Sequence, residues 1–285
     1  MRAEEAASRF IFAHIIVIIN LVRCYDKKNM PTRTEKAEAF AGLHIKGEPL
    51  VLFNIWDAGS AVAVAESGAK AIATGSWSVA AADGFADGEK LSLDAAIANL
   101  ERITASVELP VTIDFEGGYT HDNSELASNI RRVIDAGAIG VNFEDQIVGS
   151  DGLYSIEEQQ ERITTIRKTA DDAGIHLFIN ARTDIFLKNL ATYDESHVSE
   201  AIERANAFSE AGADGFFAPG LRKPNFIKQL ADASPIPLNI LVMADTPSND
   251  ELAACGVSRI SYGPGPYKQM IAFLKDAAQK VYAPR

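Results

Sequence analysis

From about residue 34 onward, short apolar runs alternate with longer stretches whose apolar residues recur at helical spacing. The clearest unit covers residues 111–146. In it Val111-Thr112-Ile113 and Ile139-Gly140-Val141-Asn142-Phe143 are two short runs, and the segment 124–137 between them places Leu126, Ile130, Val133 and Ile134 on one helical face with Gly137 as its stop. A strand–helix–strand unit of this kind joins neighbouring parallel strands. The same alternation predicts a leading helix over 34–44 and strands over 50–54, 71–74, 177–180, 215–217, 237–242 and 259–261. Helices are predicted after Asp57-Ala58-Gly59-Ser60 and over 93–107, 155–173, 195–211, 225–233, 249–254 and 267–282, with a loop over 83–89. Eight strand–helix units without a compositional break predict an α/β fold, a single (β/α)8 TIM-type barrel with an extra leading helix.

Composition changes this picture little. A chain of 285 residues suits one barrel, which needs roughly 250. The net charge of −12 argues against nucleic acid as a partner, because phosphate backbones are gripped by clustered Lys and Arg. Two cysteines, Cys24 and Cys255, make no disulfide framework, and a reducing, cytoplasmic location is the simpler expectation. The apolar stretch 10–22 is thirteen residues long, against ~20 for a membrane-spanning helix, so stable membrane insertion is not expected. Glu4 and Glu5 do not suit a signal peptide either. Residues 1–29 are therefore expected to be an extension outside the domain, dispensable for folding, and 30–285 to form the barrel.

The chemistry lies at the strand ends, which a barrel gathers on one face. Strand three runs into Asp114-Phe115-Glu116-Gly117-Gly118-Tyr119 and strand four into Glu144-Asp145-Gln146. Carboxylates brought together repel one another unless a cation neutralises them, and hard oxygen ligands suit Mg2+ or Mn2+. On this argument Asp114 and Glu144 are candidate metal ligands, while Asp57 and Asp145 are read as caps of the helices they precede. Small and hydroxyl residues at Thr74-Gly75-Ser76 are expected to leave backbone N–H groups open to an anion. Arg182 supplies a fixed planar cation for an oxyanion and could also pair with a neighbouring acid. Asn239 and Ser261 end later strands. Lys223 lies beyond strand six and no lysine falls within a strand, which disfavours Schiff-base chemistry.

Several blocks then match a known group in order: Ile72-Ala73-Thr74-Gly75-Ser76, Gly84-Phe85-Ala86-Asp87-Gly88, the segment from Leu109 to Tyr119, that from Ala136 to Gln146, and Asn180-Ala181-Arg182-Thr183-Asp184. Over about residues 40–267 the chain resembles the isocitrate lyase and phosphoenolpyruvate mutase superfamily. The resemblance implies a Mg2+ (or Mn2+) site at Asp87, Asp114, Glu116 and Glu144, in part through water. It implies a 2-oxo acid or its enolate bound by Thr74, Gly75, Ser76, Trp77, Asp87, Arg182 and Asn239. It also implies a homotetramer or homodimer, with residues 267–282 as the candidate interface helix.

The loop after strand four departs from that pattern. Isocitrate and methylisocitrate lyases carry Lys-x-Cys-Gly-His there, and the mutases and phosphonopyruvate hydrolases a Lys and an Asn. This chain has Gln146-Ile147-Val148-Gly149-Ser150-Asp151-Gly152-Leu153-Tyr154, and Pro219 where the lyases have a glutamate after strand six. The favoured expectation is a lyase resembling an oxaloacetate decarboxylase, which needs only metal, a carboxylate pocket and a weak acid such as water or Tyr119. A carboxyphosphonoenolpyruvate phosphonomutase-like reaction and a catalytically inactive 2-oxo acid binding protein are the alternatives.

Overall fold

Eight short strands run parallel: β1 (Leu50–Leu52), β2 (Ile72–Ala73), β3 (Val111–Asp114), β4 (Gly140–Glu144), β5 (Phe178–Arg182), β6 (Gly215–Phe217), β7 (Leu238–Leu241) and β8 (Arg259–Ser261). Their order is β1-β8-β7-β6-β5-β4-β3-β2. The remaining seam is bridged just beyond β1 and β2, where Ile55 N–H donates to Ala73 O (2.9 Å) and Gly75 N–H donates to Ile55 O (3.2 Å). The result is a (β/α)8 barrel. The computed structural model describes residues 31–283, so the expectation for residues 1–29 lies outside the described residues. Among the described residues no helix is long and apolar enough to cross a membrane.

The helices follow from the amphipathic stretches: α1 (Arg33–Gly42), α2 (Ala58–Glu66), α3 (Ser76–Ala82), α4 (Leu93–Ser106), α5 (Asn123–Asp135), α6 (Ile156–Asp172), α7 (Ile185–Lys188), α8 (Glu195–Glu210), α9 (Pro224–Ala233), α10 (Asn249–Ala254) and α11 (Gly265–Tyr282). Asp57 caps α2, and Ser155 with Glu158 forms a capping box on α6, as the sequence implied. The face of α5 that carries Leu126, Ile130, Val133 and Ile134 is fully buried. Each such aliphatic side chain contributes roughly 1.5–3 kcal/mol by leaving water.

Two helices were not legible as helices. Residues 76–82 carry no predicted element, yet they form α3, which buries Ser78 and packs Val79 and Ala80 with Leu91 and Ala96. Seven residues give too few turns for a periodic signal. The single turn α7 is shorter still, and it buries Ile185 and Phe186.

The leading helix closes the amino-terminal end of the barrel. Phe40 meets Phe178, the first residue of β5, edge-on, and His44 stacks on the same ring at 4.1 Å between centroids. His44 Nδ1 donates to Phe40 O (2.9 Å), and burial, reinforced by Arg259, holds the imidazole neutral with its pKa lowered to about 3. At the other end of the chain α11 exposes Phe273, Leu274, Val281 and Tyr282.

Candidate active site

The parallel register sets the site. It places Glu144 beside Arg182 across β4–β5 and Asp114 beside Asn142 across β3–β4. Arg182 Nη1 pairs with Glu144 Oε2 at 2.8 Å, while Nε and Nη2 grip both oxygens of Asp184 at 2.6 and 2.9 Å. Asp114 Oδ2 accepts the Ser76 N–H (3.0 Å), and Thr74 Oγ1 accepts the Asp114 N–H (2.9 Å). Asp114 Oδ1 is buried and has no hydrogen-bond partner among the described residues. Asp87 arrives on the loop between α3 and α4 and lines the same cavity as Ser76, Asp114 and Arg182.

The loop after β3 is held in strained backbone. Glu116 (φ 48°) and Tyr119 (φ 60°) both adopt the left-handed region. Between them Gly118 (φ 88°) has no room for a side chain, since a Cβ there would lie 2.5 Å from Leu126 Cδ1. The strain is offset by cross-loop hydrogen bonds. Glu116 Oε2 accepts the Glu89 N–H, Glu89 Oε1 accepts the Tyr119 N–H, each at 2.8 Å, and Arg162 donates to the carbonyls of Gly117 and Thr120. Buried Asn54 ties the ends of three strands together by donating to Thr74 O and accepting from Gly263 N–H, both at 2.8 Å.

Charge is out of balance here. Asp87, Asp114, Glu116, Glu144 and Asp184 gather around the single guanidinium of Arg182. Burial, Asp87 and Asp114 push Glu116 up to about 8. Burial and Asp114 raise Asp87, and burial with Asp184, Asp114 and Glu116 raises Glu144 in spite of its pairing with Arg182. Burial opposes the charge on Arg182, but Asp184, Glu144 and Asp114 outweigh it and hold the guanidinium protonated.

This imbalance gives stability a pH dependence. A glutamate that titrates at 4.5 when unfolded and at about 8 when folded binds an extra proton in the folded state, so stability falls as pH rises between those values. His44 acts oppositely, but only below its ordinary 6.5. Metal-free protein is therefore expected to lose stability from pH 6.5 to 8, by about 1.4 kcal/mol per pH unit for each carboxyl that keeps its proton over that range. Saturating Mg2+ is expected to flatten the slope. Thermal unfolding with EDTA and with Mg2+ checks this, and parallel profiles would show that no cation answers the acids.

A cavity of about 230 Å3 opens over the strand ends, bounded by Gly75, Ser76, Trp77, Asp87, Asp114 and Arg182, among others. Ser76, Asp87 and Arg182 also face an adjoining hollow of about 310 Å3, together with Glu116, Glu144 and the loop after β4. Thr74 and Tyr119 lie instead around a much smaller space behind Asp114 and Glu116. Burial and the surrounding acids, Glu116 foremost, push the Tyr119 phenol above its ordinary value. Asn239 is fully buried under the cavity, accepting from Ser261 Oγ at 3.2 Å.

Two expectations need correction. Asp145 does not cap the helix after it, which Ser155 caps. It is fully buried, accepts the Asp184 N–H (2.9 Å) and pairs with Arg204 at 3.1 Å. Nor are the N–H groups of Thr74, Gly75 and Ser76 open to a ligand: they donate to Thr112 O, Ile55 O and Asp114 Oδ2. Arg204 and Glu89 went unnoticed in the sequence, because each meets the site through contacts distant in the chain.

A family profile for phosphoenolpyruvate phosphomutase matches residues 40–282. The chain belongs to the isocitrate lyase and phosphoenolpyruvate mutase superfamily. This superfamily member is 29% identical over 255 residues to the 2-methylisocitrate lyase of Escherichia coli K12, covering 86% of this chain and 82% of that enzyme. A Burkholderia cenocepacia J2315 crystal structure, described provisionally as a phosphonomutase, superposes with a TM-score of 0.85 at 47% identity, over 87% of this chain and 99% of the other. A phosphonopyruvate hydrolase solved with oxalate and Mg2+ shares the fold, with a TM-score of 0.76, 19% identity and 86% of each chain covered. The relatives include carbon–carbon lyases and phosphoenolpyruvate mutases.

Proposed function

We propose that this protein is a Mg2+-dependent carbon–carbon lyase acting on a small 2-oxo or 2-hydroxy carboxylic acid through an enolate. The observation that carries this reading is the surplus of buried carboxylate at the strand ends, with one oxygen of Asp114 left unpartnered. Hard oxygen donors fit Mg2+, and Asp114 and Glu144, with Asp87 and Glu116 in support, are the residues that would hold it. Among the described residues no three acids, histidines or cysteines converge closely enough to enclose a metal themselves. This accords with a cation that keeps part of its water and takes further oxygens from substrate. When bound, such a cation supplies neutralising charge for an enolate oxygen.

The chain's own groups supply the rest. Arg182, fixed by Glu144 and Asp184, presents a guanidinium edge to the substrate's oxygens. Ser76, Trp77 and Asp87 form part of the wall. The loop after β4 is pinned by the Gln146–Leu153 bridge and carries no Lys, Cys or His. Return of a proton to the enolate therefore falls to water, since Tyr119 does not line the larger cavities. Decarboxylation of oxaloacetate is the simplest reaction these groups permit. Assembly as a homodimer or homotetramer through the exposed apolar residues of α11 belongs to the same proposal.

Solvent-deuterium exchange at C3 of pyruvate, followed by NMR, tests the enolate step independently of any leaving group. Exchange is expected with Mg2+ and not with EDTA. Arg182→Lys is expected to slow it about 100-fold, because an ammonium keeps the charge and loses the forked geometry. Equal exchange rates with and without Mg2+ would sink the proposal.

A further inference from the structure

The 230 Å3 cavity is divided by chemistry, and this bears on the part of the substrate that the proposed function leaves open; the inference rests on that function. Its polar side comes from the first five strand ends and contains Asn54, Ser76, Asp87, Asp114, Asn142 and Arg182. In a closed ring of eight strands, β6, β7 and β8 lie across from β2, β3 and β4. What they and α7 contribute is Leu187, Phe217, Pro219, Leu241, Met243, Gly263 and Pro264, with one hydroxyl, that of Ser261, which is donated to Asn239 Oδ1. Arg182 is the one cation lining the cavity among the described residues, and Glu144 and Asp184 take three of its five N–H groups, which leaves two for a single substrate carboxylate. Arg222, on the loop after β6, does not line the cavity and donates to Leu190 O and Ala244 O. Lys223 donates to Tyr193 O. Arg259, the first residue of β8, is wholly buried, does not line the cavity and donates to Asn142 Oδ1. A second carboxylate or a phosphonate placed against β6–β8 would therefore lose its hydration, reach no cation in the lining and face a site already rich in acid.

We infer that the substrate is a 4-hydroxy-2-oxo monocarboxylic acid with an apolar alkyl chain on C4, whose carboxylate end faces Asp114 and Arg182 and whose chain rests on the largely apolar wall of β6–β8. Cleavage of C3–C4, with the C4 hydroxyl proton passing to water, releases an alkyl aldehyde and leaves the pyruvate enolate. The cavity is smaller than the roughly 300–1,000 Å3 typical of sites for drug-sized ligands, so the chain is short. Oxaloacetate is small enough to enter, but this wall does not select it.

Calorimetric titration of the Mg2+-loaded protein with pyruvate, 2-oxo-4-methylpentanoate and 2-oxoglutarate tests the inference. The branched acid is expected to bind at least tenfold more tightly than pyruvate, about 1.4 kcal/mol, and 2-oxoglutarate no more tightly than pyruvate. Leu241→Arg, or Met243→Lys if the first variant unfolds, is expected to reverse the order of the branched and dicarboxylic acids. If 2-oxoglutarate matches or exceeds the branched acid, or if the branched acid gains nothing over pyruvate, the inference is overturned while the enolate reading stands. If none of the three binds, the enolate reading itself fails and takes the inference with it.

Discussion

Asp114→Asn is expected to abolish Mg2+-dependent exchange, by about 1,000-fold or more, while metal-free protein unfolds at the same temperature or higher. The carboxamide keeps an oxygen to accept the Ser76 N–H, so the turn from β2 into α3 retains its anchor. What disappears is one negative charge from a cluster in which Asp87, Glu116 and Glu144 are each pushed up partly by Asp114. Relief of that repulsion stabilises the apo state. Against it stand buried Arg259 and Arg182, whose charges Asp114 favours, but three carboxylates gain where two cations lose, and Arg182 keeps Glu144 and Asp184. Catalysis has no such compensation, since transition-state charge unmatched by a fixed partner costs several kcal/mol. Calorimetry with Mg2+ and thermal unfolding in EDTA separate the two effects. Exchange surviving in the variant would reduce Asp114 to a structural acceptor for Ser76.

The acids were legible because their signal is local: an apolar run that ends in Asp114 or Glu144 states both the strand and the mouth it points to. The barrel was legible for a related reason, since eight repetitions of one pattern compensate for errors of two or three residues at each boundary. The predicted strand over 71–74 survives only as Ile72–Ala73, yet its place in the ring is unchanged. What stayed hidden depends on register and on distance in the chain. Nothing near Glu89 announces that its carboxylate takes the Tyr119 N–H, 30 residues away, and so fixes the strained loop after β3. Asn239 is wholly buried because β7 pairs it with Arg259, two residues short of the cavity-lining Leu241, and a strand-end list cannot distinguish a lining residue from a buried one. The apolar wall was invisible for another reason. Phe217, Leu241 and Met243 are ordinary strand-end hydrophobes until the closed ring sets them across from the acids.

Asp145 gives the largest stability effect. Arg204→Ala is expected to cost about 3–5 kcal/mol, because it strands a carboxylate that the fold has fully buried. Arg204 also donates to Tyr154 O and pairs with Glu200, so it ties α8 to the loop after β4. For a chain of this size each kcal/mol moves the melting temperature by roughly 2–4 °C, so a fall of about 6–20 °C is expected. Burial has already raised Asp145 to about 6, with Arg204 the main opposing influence. Without Arg204 that value rises further, the folded state binds a proton the unfolded chain does not, and the variant's stability falls as pH increases through neutrality. The gap between wild type and Arg204→Ala should therefore be wide at pH 8 and narrower at pH 6. Pairing Arg204→Met with Asp145→Asn should recover much of the loss, since two neutral groups leave no orphaned charge. The exchange rate supplies an independent check. Asp145 holds the Asp184 N–H, and Asp184 holds Arg182, so the single variant should lose turnover even at pH 6 and low temperature, where it stays folded. Equal stability of Arg204→Ala and wild type at pH 8 would show that the pair contributes nothing to the fold.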